Sequence, residues 1–192
     1  MRIFVAIDLP QEIREALASL VNGLRDRLRG VRWVRPQGVH LTLRFIGEVD
    51  EERVEMLRSA LREAIPGSSP PFGLHVRGLG VFPESGRPRV LWVAVEQAAG
   101  RLSAIQREVE LAAMSAGFPE ETRPFRPHLT VGRFGGGGRL QESESLLEEF
   151  RDARHGSFTV SSVTIFQSLL NPGGAEYRRL EEYPLDGPRD EP

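Results

Sequence analysis

Apolar positions along the chain recur with two periods, and the periods take turns. Ile3, Val5 and Ile7 are spaced by two, which predicts a strand over residues 2–8. Pro10 suits a first helical turn, and Ile13, Leu17, Leu20, Leu24 and Leu28 continue at helical spacing until Gly30. Residues 31–35 and 39–46 read as strands around a Pro36-Gln37-Gly38 turn, with Trp33 as a core residue. Asp50 is a candidate N-cap for a second helix with the stripe Val54, Leu57, Leu61 and Ile65, stopped by Pro66-Gly67. Residues 72–81 and 89–95 predict a hairpin with a longer loop, and Leu102, Ile105, Val109, Ala112 and Ala116 a third helix ending at Gly117. Residues 124–134 predict a strand, Leu146, Leu147 and Phe150 a weaker helix, and 157–167 with 175–183 a last strand pair around Asn171-Pro172-Gly173-Gly174. The tail, 184–192, reads as loose.

Single helices thus alternate with strand pairs, an α+β pattern rather than a parallel α/β one. One stretch occurs twice. His40-Leu41-Thr42-Leu43-Arg44-Phe45-Ile46-Gly47 is echoed by His128-Leu129-Thr130-Val131-Gly132-Arg133-Phe134-Gly135. On a strand, alternate side chains share a face. His40 and Thr42 therefore lie opposite Leu41 and Leu43, and His128 and Thr130 opposite Leu129 and Val131. The repeat predicts a duplicated, bilobal unit of antiparallel sheets flanked by helices. A pseudo-twofold axis would then bring both histidines to a cleft between the lobes. The 192 residues form a single two-lobed domain in this reading.

Charge sharpens the picture. Net charge is −2, which argues against a general nucleic-acid coat. Yet residues 29–47 hold Arg29, Arg32, Arg35 and Arg44 without an acid, and residues 122–139 hold Arg123, Arg126, Arg133 and Arg139 without an acid. Both histidine motifs sit in these cationic windows, which suits a phosphate-bearing ligand. There is no cysteine, so thiolate chemistry and disulfides are excluded; this fits a reducing compartment, and a cytoplasmic location is expected. No segment is long enough to span a membrane. Gly135 to Gly138 read as a flexible loop, His75 as a surface residue, and His155 as a loop residue without a motif.

Two histidines across a cleft make an acid–base pair near neutral pH. The natural reaction is in-line displacement at phosphorus, with Thr42 and Thr130 holding non-bridging oxygens and arginines holding the charge. The residues alone leave open which histidine gives the proton. A metal site is disfavoured because no further ligand recurs beside the histidines, and no nucleophile elbow appears.

The pair of His-x-Thr-x motifs resembles the two-histidine phosphoesterases, in particular the bacterial and archaeal RNA 2',3'-cyclic phosphodiesterases, also called 2'-5' RNA ligases. The resemblance runs nearly end to end. It includes Arg2-Ile3-Phe4-Val5-Ala6-Ile7, Phe82-Pro83, Arg89-Val90-Leu91-Trp92 and Arg126-Pro127-His128-Leu129-Thr130. It implies the bilobal fold, an RNA or oligonucleotide substrate ending in a 2',3'-cyclic phosphate, a 2'-phosphate product, and reversible 2'-5' ligation. It further implies His40 as proton donor and His128 as acceptor, Phe45 as a base-stacking residue, Arg133 with Arg126 as phosphate-side contacts, no cofactor and a monomer. Strict alternation instead puts Phe45 and Arg133 on the apolar face. A bulge at Gly132 would turn Arg133 outward, while Phe45 is left equally open to a plain core role. An RNA-end-binding module without turnover, or a phosphodiesterase for another 2'-5' or cyclic nucleotide, are the alternatives.

Overall fold

The computed structural model describes residues 1–97, 100–135, 140–171 and 174–187. Nine strands are formed: β1 (Arg2–Ile7), β2 (Val31–Trp33), β3 (Leu41–Glu48), β4 (Phe72–Phe82), β5 (Val90–Glu96), β6 (His128–Phe134), β7 (Arg154–Val160), β8 (Ser162–Asn171) and β9 (Gly174–Pro184). Four helices accompany them: α1 (Gln11–Arg25), α2 (Glu51–Ala64), α3 (Arg101–Ser115) and α4 (Leu140–Glu149). Asp50 caps α2 as its sequence predicts, its side chain accepting the Arg53 N–H at 2.9 Å.

The strands make one curled antiparallel sheet in the order β7-β4-β5-β6-β3-β1-β8-β9. This eight-strand path divides into two four-stranded halves, which meet where Leu41 of β3 faces Leu129 of β6, and β2 is a ninth strand added beside β6. The duplicated α+β architecture is the one the repeat predicts, with the two halves fused rather than separate. β2 does not pair with β3. It lies along the far end of β6, Trp33 opposite Gly132 and Val31 opposite Phe134. A Cβ on Gly132 would sit 2.6 Å from Val31 Cγ1, so the glycine is what lets β2 approach.

One apolar core unites both halves. Leu41 and Leu129 are fully buried in it, with Ile13 and Leu17 from α1, Leu57 and Leu61 from α2, and Ile105 and Val109 from α3. The helices cross between halves. α1 follows β1 yet packs against β7, and Gly156 in β7 leaves room for Ile13 there. α3 follows β5 yet packs against β3. These two helices thus brace the half they did not come from.

Four expectations change. The strand expected over 157–167 breaks at Ser161, and β7 and β8 sit at different ends of the sheet. His155 lies in β7, not in a loop. Residues 184–187 are not loose: Leu185 is buried, its N–H donates to Ser161 O, and Gly187 N–H donates to Ser69 O. Arg44, counted among the arginines of a cationic window, is buried, with Nε 3.0 Å from Glu110 Oε2 and Nη1 3.3 Å from Glu121 Oε2. The expected glycine loop at 136–138 and the Pro172-Gly173 turn lie outside the described residues.

Removing Arg44 leaves Glu110 beside the core with no cation. Arg44→Met should therefore lower stability by about 3–5 kcal/mol, read from urea denaturation. A loss below about 1 kcal/mol, the size of a surface pair, would show that the pair is solvated in solution.

Candidate active site

The two motif strands carry the same irregularity at the same place. In the β1–β3 pairing, Ala6 faces Thr42 and Val5 faces Arg44, so Leu43 is an extra residue. In the β5–β6 pairing, Trp92 faces Thr130 and Leu91 faces Gly132, so Val131 is extra. Each bulge sits three residues past its histidine and reverses the alternation beyond it. Leu43 and Arg44 are both buried, and so are Val131 and Gly132. Phe45 and Arg133 then emerge on the histidine face. Phe45 is 56% exposed, which removes the core role that alternation had left open. The bulge expected at Gly132 is present; its twin at Leu43 has no glycine to announce it.

Leu41 opposite Leu129 is the pivot of the site. Carrying that antiparallel register one residue outward on each side sets His40 beside Thr130 and Thr42 beside His128. Leucines of the pivot point into the core, so histidines and threonines point the other way, into a cleft of about 760 Å³. His40, Thr42, His128 and Thr130 all line it, with Phe45 and Arg133. Neither threonine hydroxyl has a hydrogen-bond partner among the described residues.

Both imidazoles are oriented by the carbonyl two residues upstream. His128 Nδ1 lies 2.7 Å from Arg126 O, which assigns the proton to Nδ1 and leaves Nε2 for the cleft. The Gly38 backbone makes the matching bond to His40. Aromatic rings complete each seat. Phe4 stacks on His40 at 4.5 Å between centroids and Tyr177 meets it edge-on at 4.9 Å, while Phe82 meets His128 edge-on at 5.1 Å. Burial dominates the resulting electrostatics. Desolvation, opposed by the Gly38 bond and Asp8, pushes His40 down to about 4. Desolvation also lowers His128, and Arg133 lowers both.

The approach to His40 is pinned by Arg14. Its Nη1 donates to Pro36 O at 2.9 Å and Val39 O at 3.2 Å, its Nε to Leu9 O at 3.0 Å, and its Nη2 to Asp8. Asp8 also pairs with Arg179. No sequence motif announced this network, because its members come from α1, the 36–38 turn and β9.

The arginines sort unevenly. Arg2, Arg32, Arg123 and Arg133 line the cleft, and among the described residues no carboxylate does. Arg126, expected on the substrate side, is not brought to the cleft: its guanidinium pairs with Glu84 at 2.9 Å and lies over Phe82. Arg44 is structural, and Arg139 lies outside the described residues. The sequence reading missed Arg2, whose place at the head of β1 carries no signal, and the aromatic seat of Phe4 and Tyr177. Trp33 packs against the core, outside the cleft. Among the described residues no group of three or more His, Cys, Asp or Glu is placed to hold a metal ion. His75 is exposed on β4, away from the cleft.

The repeat that organises this cleft is recognisable in other proteins. The pattern of the LigT like Phosphoesterase family matches twice, over residues 7–92 and 93–177. The chain belongs to that family. An RNA 2',3'-cyclic phosphodiesterase of Methanothermobacter thermautotrophicus is 33% identical over 185 residues, covering 96% of this chain and 99% of its own length. One from Aeropyrum pernix is 41% identical over 170 residues, covering 86% and 93%. Among solved structures, TT0787 of Thermus thermophilus superposes with a TM-score of 0.80 at 29% identity, covering 98% and 100%. E. coli LigT complexed with 3'-AMP superposes at 0.76 with 27% identity, covering 96% and 97%. As a LigT-like phosphoesterase, the chain is a phosphoric diester-cleaving enzyme, and no helix among its described residues is long and apolar enough to cross a membrane.

The buried histidines set a pH dependence of stability. His40 titrates at about 4 when folded and near its ordinary 6.5 when unfolded. Between those values the unfolded chain binds more protons, so stability is full above the ordinary value and is lost as pH falls through the folded one. His128 and His155 are lowered and act in the same sense. The melting temperature should therefore fall between pH 7 and pH 4.5, and His40→Gln should flatten part of that fall. An equal fall in the variant would show that His40 is not protected from protons in the folded state.

Proposed function

We propose that this chain hydrolyses RNA or oligonucleotide 2',3'-cyclic phosphate ends to 2'-phosphates, acting as a monomer in the cytoplasm without a metal or other cofactor. The observation that carries the reading is the cleft itself: two His-Thr pairs on adjoining strands with, among the described residues, four arginines and no carboxylate. The relatives' names supply the substrate class. His128, with Nδ1 tied to a carbonyl, presents a bare Nε2 able to take a proton from water. The water attacks phosphorus opposite the 3'-oxygen, the P–O3' bond breaks, and His40 protonates that oxygen. Thr42 and Thr130 lie between the histidines in register, and donate to the non-bridging oxygens whose charge grows. Arg133 carries the counter-charge, and Phe45 stacks on the terminal base. With the 5'-hydroxyl of a second RNA as nucleophile in place of water, the same displacement forms a P–O5' bond, breaks the P–O3' bond and leaves a 2'-5' linkage; its reverse cleaves that linkage back to the cyclic phosphate.

The lowered histidines bear on this assignment. In the free enzyme His40 is neutral at pH 7, so an acid role requires the bound anionic phosphate to restore its proton. The pH profile of kcat/KM, which reports the free enzyme, should be bell-shaped with its optimum below the ordinary histidine value. The acidic limb of kcat should lie at higher pH than that of kcat/KM. An optimum at alkaline pH would overturn the paired-histidine assignment.

His40→Ala and His128→Ala should each lower turnover by about a hundredfold to ten-thousandfold with the fold intact. Thr42→Val and Thr130→Val should each remove on the order of 1–3 kcal/mol of transition-state stabilisation. Activity should survive chelation. The product from an RNA ending in a 2',3'-cyclic phosphate should be a single regioisomer, the 2'-phosphate. A mixture, or mainly 3'-phosphate, would reverse the roles or the orientation of the substrate.

A further inference from the structure

The two halves of the cleft differ in chemistry although they share a fold. The half built from β3, β1, β8 and β9 offers mainly rings and apolar surface, with one arginine, Arg2: Phe45, Phe4, Tyr177 and, at the far rim, Leu170, which is 75% exposed. The half with β6 and β2 offers cations. There Arg32 of β2 and Arg133 of β6 are direct cross-strand partners. Both are exposed, both line the cleft, and neither has an acidic partner among the described residues. Two like charges placed directly opposite on adjacent strands destabilise a sheet. Several other arginines do have acidic partners: Arg44 has Glu110 and Glu121, Arg126 has Glu84, Arg27 has Glu149 and Arg62 has Glu181. An unanswered pair facing a cleft fits an anion that arrives with the ligand.

The two guanidiniums are not equivalent. Arg133 is on the motif strand and its charge acts on both His40 and His128. Arg32 is one strand farther from the histidines, displaced by about 4.8 Å of strand spacing. It is among the charges felt by neither. We propose that Arg32 binds a second phosphate, the phosphodiester that joins the terminal nucleoside to the one before it, and so makes the enzyme favour oligonucleotide ends over cyclic mononucleotides. This rests on the phosphodiesterase reading above and names the part of the substrate that reading leaves unspecified. The terminal base lies toward Phe45, the cyclic phosphate lies between the histidines under Arg133, and the preceding phosphate lies on Arg32. A guanidinium fork suits that phosphate better than a point charge does.

The test compares two probes, adenosine 2',3'-cyclic phosphate and the dinucleotide ApA ending in a 2',3'-cyclic phosphate. Wild-type kcat/KM should favour the dinucleotide. In Arg32→Gln the dinucleotide-to-mononucleotide ratio should fall about tenfold to a hundredfold, the range for one charge-assisted hydrogen bond. Arg133→Gln should instead slow both probes together. Removing the like-charge partner should leave Arg32→Gln melting no lower than wild type, which separates lost contact from lost fold. An unchanged ratio in Arg32→Gln overturns the proposal, as does an equal loss on both probes, which would put Arg32 on the reacting phosphate. If wild type turns over neither probe, it is the functional reading that fails. The second-phosphate site is then judged by binding of 2'-phosphate-ended ApA against 2'-AMP across salt concentrations. The slope of log K for the dinucleotide should shrink by about 0.7 in Arg32→Gln, the share of one single-strand phosphate. An unshifted slope overturns it.

Discussion

The contact between Leu41 and Leu129 is the constraint on which the rest hangs. It is the hinge of the sheet, the centre of the pseudo-twofold, and a fully buried part of the core at once. Because the leucines must face inward, their neighbours on either side must face out. Two histidines and two threonines therefore converge without any of them being placed individually. The chemistry of the cleft is in this sense a by-product of burying two side chains opposite each other, and it inherits their rigidity.

Past the pivot, both strands need to change face, and both do so by one extra residue. The bulges at Leu43 and Val131 bring out Phe45 and Arg133 while sending the residues before them inward. There the copies diverge. Where one half has Arg44, locked to carboxylates beneath the sheet, the other has Gly132, over which β2 lies. The glycine admits an added strand, and that strand carries Arg32. One substitution-sized difference between equivalent positions thus gives one side of the cleft a cross-strand pair of arginines that the more aromatic side lacks.

The motifs, the helical stripes and the order of elements were legible in the sequence because each depends on residues close together in the chain. So was the outward turn of Arg133, through its glycine. Phe45 was not, since nothing in Leu43-Arg44-Phe45 departs from a regular strand pattern. The settings of Arg44 and Arg126 were not legible for a different reason: their partners Glu110 and Glu84 lie far along the chain, and a charge cannot be assigned to solvent or to a neighbour before the neighbour is known. The break at Ser161 left only a slight trace: Phe158 and Val160 alternate in one phase, Val163 and Ile165 in the other, and the shift falls on two serines that a strand readily accepts, where the chain leaves one half for the other.

That crossing, together with the exchanged helices, has a consequence for how such a chain could arise. β4, in the first repeat, adds to β5, which straddles the boundary with the second, and β8, near the end of the second, returns to β1 at the head of the first. A single repeat on its own could complete neither its sheet nor its core. Two identical copies, trading a strand and a helix each, could complete both and would bring one histidine apiece to a shared symmetric groove. The molecule has the architecture of a domain-swapped homodimer joined in tandem, and joining released its halves from symmetry: only within one chain can one side of the groove keep a phenylalanine while the other acquires a pair of arginines.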